Sequence, residues 1–66
     1  MIEDIDIYRT ANLLIKKHGE GADLHAAEKA DEMLASGDME GSLTWKRILA
    51  AINAIRRPAE PNELIN

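Results

Sequence analysis

Between Asp38 and Arg57 the chain reads DMEGSLTWKRILAAINAIRR, with apolar side chains returning at Trp45, Ile48, Leu49, Ile52 and Ile55. This is the i, i+3, i+4, i+7 spacing that puts residues on one stripe of a 3.6-residue period. Lys46, Arg47, Asn53 and Arg57 project away from the stripe, and Arg56 returns towards its edge. A single helix of this kind is marginal in water, so its apolar stripe has to be covered by other parts of the chain. Whatever precedes it must therefore supply helical or other cover of matching length.

Two shorter patterns do so. Ile7, Tyr8, Ala11, Leu14, Ile15 and His18 predict a first helix over 5–18, with Asp4 as its N-cap and Glu3, Asp4 and Asp6 where a helix N-terminus favours negative charge. Lys16, Lys17 and His18 crowd its last turn, and Gly19 follows as a left-handed cap. Asp23 is the expected N-cap of a second helix over 24–36, whose face of Ala26, Ala27, Ala30, Met33 and Leu34 lets a neighbour approach closely. Gly37 ends it. For the third helix, 39/42–57, two starts compete. Asp38 can cap a helix beginning at Met39, but Gly41 costs about 1 kcal/mol relative to Ala in a helix interior. Ser42 is the alternative N-cap, which leaves Met39 to Gly41 as a separate turn. Pro58 stops the helix.

The expected fold is all-α: a small three-helix domain over 1–57, its third helix longest and central, followed by an extended or flexible tail over 58–66. Leu64 and Ile65 are the tail residues able to fold back. The expected core is Ile7, Leu14, Ile15, Ala27, Ala30, Leu34, Trp45, Ile48, Leu49, Ile52 and Ile55. With 66 residues, no cysteine, no Phe and only Trp45 and Tyr8 as aromatics, that core is small and has no disulfide to reinforce it. Oligomerisation is the remaining source of stability, which points to a homodimer or higher homo-oligomer.

The formal charge of −4 opposes general nucleic-acid binding, which needs Lys and Arg to displace counterions. The charge is uneven. Residues 39–57 hold one acid against four bases, +3, so the remainder carries −7. The acidic start IEDID is no signal peptide, and no apolar run reaches the length of a membrane span, so a cytoplasmic setting is expected.

His18-Gly19, Ala22, Ala26, Ala30-Asp31, Leu34, Gly37-Asp38, Gly41, Trp45, Arg47-Ile48 and Ala51-Ile52 resemble a family of small uncharacterised bacterial helical proteins, chiefly alphaproteobacterial. The resemblance spans roughly residues 5–56. It implies a three-helix fold in a bacterial cytosol and brings no activity, cofactor or site residue with it.

The constellations that carry chemistry elsewhere are weak in this sequence. His25 and Glu28 are three apart on a helix, with His18, Glu20 and Asp23 nearby, but the order matches no standard metal loop and His18 is explained as a helix-end cation. No metal or cofactor is expected. Glu28, Asp31 and Glu32 read as a solvated face rather than paired acid–base carboxylates. Ser and Thr lack a histidine-carboxylate arrangement, and glycine-rich phosphate loops are absent, so catalysis is not expected. Helices two and three, joined around Gly37, have the approximate spacing of a helix-turn-helix, but the second would open with Asp38, Met39, Glu40 and Gly41, which repel phosphates. Trp45 begins the apolar stripe and reads first as a core anchor. With Lys46 and Arg47 beside it, it is also a candidate interface residue. The surplus apolar residues Leu13, Leu24 and Leu43 complete the candidate interaction set. The leading expectation is a self-associating, non-catalytic protein-interaction module with an unidentified protein partner. The alternatives are a DNA-associated regulator and an acidic decoy for the basic groove of a nucleic-acid-binding protein.

Overall fold

In the computed structural model, which describes residues 3–56, the chain is all-α. Helix α1 spans Asp4–His18, a single 3-10 turn spans Gly19–Gly21, α2 spans Ala22–Ala35 and α3 spans Met39–Arg56. Among the described residues there is no strand. The expectations for Arg57, Pro58 and the tail over 58–66, including Leu64 and Ile65, lie outside the described residues.

The start of α1 differs from the sequence expectation. Glu3, not Asp4, is the N-cap residue, and its side chain makes no capping bond. The Glu3 carbonyl instead accepts from the N–H groups of Asp6 (3.0 Å) and Ile7 (3.1 Å). Asp4 lies inside the first turn, where its carboxylate accepts a hydrogen bond from the Arg47 guanidinium on α3. Both side chains are well exposed, so this bridge helps orient α1 on α3 but contributes only about 0–1 kcal/mol.

Gly19 ends α1 at φ 60° and ψ −126°, its N–H donating to the Ile15 carbonyl. The positive φ is as a glycine stop requires, but the ψ departs from the left-handed helical pair. The chain therefore runs into the 3-10 turn, and α2 begins at Ala22, two residues before the predicted 24. Asp23 is consequently not the N-cap. That position is Gly21, which has no side chain to offer. The Asp23 carboxylate accepts from the adjacent Leu24 N–H at 2.8 Å and stands 4.0 Å from the Arg56 guanidinium.

The link between α2 and α3 is built differently. Gly37 has φ 86° and donates its N–H to the Leu34 carbonyl at 3.0 Å, while Asp38 N–H reaches the Met33 carbonyl at 2.8 Å. These are the two bonds of a Schellman motif. The same Asp38 then turns its carboxylate onto the N–H of Gly41 at 2.8 Å and its carbonyl onto the N–H of Ser42 at 3.0 Å. Of the two starts read in the sequence, Asp38 is the one used, and Met39 to Gly41 is the first turn of α3 rather than a separate turn. A Cβ at Gly41 would stand 2.5 Å from Asp38 Oδ2 and 2.8 Å from its Cγ, so the capping carboxylate would have to shift to admit it.

Both α1 and α2 pack on α3, and they touch one another much less. The buried cluster is Ile7 and Ala11 of α1, Ala22 and Ala26 of α2, and Ile48, Ala51 and Ile52 of α3, with Leu14, Ile15, Trp45 and Leu49 packed partly buried against it. Three members of the expected core need correction. Ala27 is only half-buried, and Leu34 and Ile55 are 47% and 40% exposed. The buried stripe of α2 runs Ala22, Ala26, Ala30, and each four-residue step drifts about 40° around a helix. Leu34, one step further, has drifted off the face. Ile55 lies in the last described turn of α3, where Arg56 stands opposite the Gly19–Gly21 turn rather than a helix. Ser42 is buried, and among the described residues its Oγ has no hydrogen-bond partner. What suits it to this position is small size, since an unpaired buried hydroxyl opposes folding.

Candidate interaction surface

Trp45 is half-buried against the core cluster, and its ring meets His25 of α2 edge-on, with centroids 5.9 Å apart at 77°. His25 in turn stacks on His18, the last residue of α1, at 4.3 Å and 19°. One aromatic contact chain thus ties together the three helices at the α1–α2 turn. Trp45 acts there as a strut between α3 and α2. The same packing employs both histidines. Among the described residues no three His, Cys, Asp or Glu side chains converge in a way that would hold a metal ion.

Arg56 strengthens this end of the molecule. Its Nη1 lies 3.4 Å from the carbonyls of both Gly19 and Glu20, so a cation at the end of α3 faces the carbonyl-rich end of α1. The sequence placed Arg56 near the edge of its own stripe. Nothing in local spacing reveals a contact across 37 positions.

The other proposed interaction residues are distributed over all three helices. Leu43, Lys46 and Arg47 are exposed on α3, while Leu13 (65% exposed) and Leu24 (62%) stand on α1 and α2. Arg47 borders an open groove between α1 and α3, lined also by Asp4, Ile7, Tyr8, Ala50 and Ala54. On α1, Leu13 is flanked by Arg9, Lys16 and Lys17, all exposed. On α2, Leu24, Glu28 and Glu32 follow at four-residue intervals, also exposed. The surface is therefore divided into an apolar-basic strip on α1, an apolar-acidic strip on α2 and a mixed strip on α3.

Where a helix-turn-helix would present its second helix to DNA, α3 presents a capped end. Asp38 already occupies the Gly41 N–H, and exposed Glu40 follows it in the first turn. An anion arriving there meets two carboxylates. No described helix is long and apolar enough to cross a membrane.

Compared with models of known protein families, with curated proteins and with solved structures, the chain finds no match in any of the three.

Proposed function

We propose that this chain is a small cytosolic interaction module that self-associates, with α3 as the central helix of a three-helix domain and no catalysis of its own. The observation that carries this reading is the distribution of large apolar side chains. Ile5, Tyr8, Leu13, Leu24, Leu34, Met39, Leu43 and Ile55 are all exposed, while the buried positions are mostly alanine with three isoleucines. A domain that buries so little and exposes so much gains stability by covering that surface with a partner. The resemblance to small bacterial helical proteins agrees with the proposed setting and adds no activity.

A DNA-associated role through α2 and α3 is the second reading, favoured by their tight connection and by exposed Lys46 and Arg47, and opposed by the capped acidic start of α3. The acidic decoy rests on the −7 outside residues 39–57. Sedimentation equilibrium over a range of concentrations tests the leading reading. The expected result is a mass that is a multiple of the 7.3 kDa chain and a melting temperature that rises with concentration. A monomeric mass with a concentration-independent melting temperature overturns it. Capture from native lysate with and without nuclease separates the rest: material lost after nuclease favours DNA, and a nucleic-acid-binding protein displaced by added DNA favours the decoy.

A further inference from the structure

We propose that the self-association surface is the joint outer side of α1 and α2, and that its occupant is the same side of a second copy, α1 of each protomer lying on α2 of the other. This rests on the self-association reading and specifies its surface.

Charge carries the assignment. Leu13 on α1 lies among cations, between an open hollow lined by Thr10, Leu14, Lys16 and Lys17 and another lined by Arg9, Asn12 and Lys16. Among the described residues Lys16 and Lys17 have no ion-pair partner, and Arg9 reaches only Asp6, at 3.9 Å. On α2, Leu24 heads a strip of anions. Glu28 has no ion-pair partner among the described residues, and Glu32 reaches only Lys29, at 3.4 Å. Leu13 on α1 and Leu24 on α2 are thus similarly exposed, and the charges beside them, Lys16 and Lys17 against Glu28 and Glu32, are opposite in sign.

The signs decide between pairings. Setting α1 on a second α1 brings Lys16 and Lys17 against their own copies, and setting α2 on a second α2 does the same for Glu28 and Glu32. Like charges across an interface are costly and select against such partners. Setting α1 on the partner's α2 turns both repulsions into attractions and covers Leu13 and Leu24 together. The two strips do not satisfy one another within one chain, because Ile7 and Ala11 hold α1, and Ala22 and Ala26 hold α2, with their opposite faces against α3. One two-fold axis meets both contacts at once: if α1 lies on the partner's α2, then α2 lies on the partner's α1. The interface is isologous and closes as a dimer, using both strips of each copy.

The test uses two charge-reversed versions of the full chain, Lys16→Glu with Lys17→Glu and Glu28→Lys with Glu32→Lys. All four positions are exposed, so far-UV circular dichroism should be unchanged. At low ionic strength each version alone is expected to dimerise at least about tenfold more weakly than wild type, a change of about 1.4 kcal/mol. An equimolar mixture of the two is expected to recover wild-type affinity as a mixed dimer, read by native mass spectrometry. Should either reversal lose helicity, the Gln substitutions at the same positions replace it, and weaker dimers that respond less to salt are then expected. A monomeric wild type removes the self-association reading itself. A dimeric wild type whose reversed versions associate normally, or whose mixture shows no recovery, overturns only the assignment of the surface.

Discussion

The molecule turns twice, and the two turns are made by different means. Between α2 and α3, Gly37 closes one helix with both Schellman bonds and Asp38 opens the next with its carboxylate on the Gly41 N–H. The bonds that build this link all run between residues three to five positions apart. Between α1 and α2, the N-cap residue is Gly21, with no side chain to cap, and the change of direction is made by the 3-10 turn that Gly19 opens. That turn is supported from elsewhere, by Arg56 facing the Gly19 and Glu20 carbonyls and by the rings of His18, His25 and Trp45. A turn specified by its own residues forms when its neighbours are in place. A turn specified from α3 needs the tertiary structure first.

The sharpest way to break this contrast is at the two glycines. Gly19→Ala and Gly37→Ala each force a positive φ on a residue with a Cβ, costing on the order of 1–3 kcal/mol. In a domain whose core contributes only a few kcal/mol, both should lower the thermal midpoint visibly by circular dichroism. Only Gly37→Ala should also lower the helicity of an isolated peptide spanning α2 and α3.

Next in size is the cap. Asp38→Ala is expected to cost about 1 kcal/mol in urea unfolding. Gly41 makes this sharper. Alone, Gly41→Ala should be nearly neutral, since about 1 kcal/mol of helix propensity is offset by a Cβ that displaces the capping carboxylate. In the Asp38→Ala background the same change should stabilise by about 1 kcal/mol, because nothing is left to displace. A fully additive double-mutant cycle would contradict the coupling.

The smallest effect belongs to the other turn. Asp23→Ala should change stability by less than about 0.5 kcal/mol, because Asp23 is not the N-cap, bonds only the exposed N–H of the adjacent Leu24, and approaches Arg56 at 4.0 Å half-exposed. A loss as large as that for Asp38→Ala, measured by the same urea titration, would show the two turns to be alike after all.

Much of this was legible in the sequence where the cause is local. The stripe at Ile48 and Ile52 and the glycine stops at 19 and 37 each follow from spacing or from a single residue's chemistry, and Asp38 is legible as one of two competing caps. Asp4 and Asp23 misled because a carboxylate near a helix start has several outlets, and α1 and α2 begin one or two residues earlier than their acids imply. Ala22 and Ala51 fall outside the expected core because alanine carries little hydropathy signal, although both are buried to within a few per cent. The candidate surface was legible only as surplus. Leu13, Leu24 and Leu43 fall off every buried stripe, whereas the separation of charge between α1 and α2 emerges once the faces held against α3 are known.

The alanine stripe of α2 has a mechanical consequence. Ala22, Ala26 and Ala30 repeat the same side chain at each turn, so moving α2 along α3 by one turn would set alanine where alanine had been. Such a helix is a rail, smooth in the direction of its axis. A core of large and differing side chains would resist the slip by shape, but here the stop must come from features that do not repeat. The three-residue link from Ser36 to Asp38 is one, and the T-shaped contact of Trp45 with His25 is another. They act as indexing pins at opposite ends of the rail. Residues inserted into that link would therefore do more than lengthen a loop: they would release one of the two pins that fix where along α3 the second helix comes to rest.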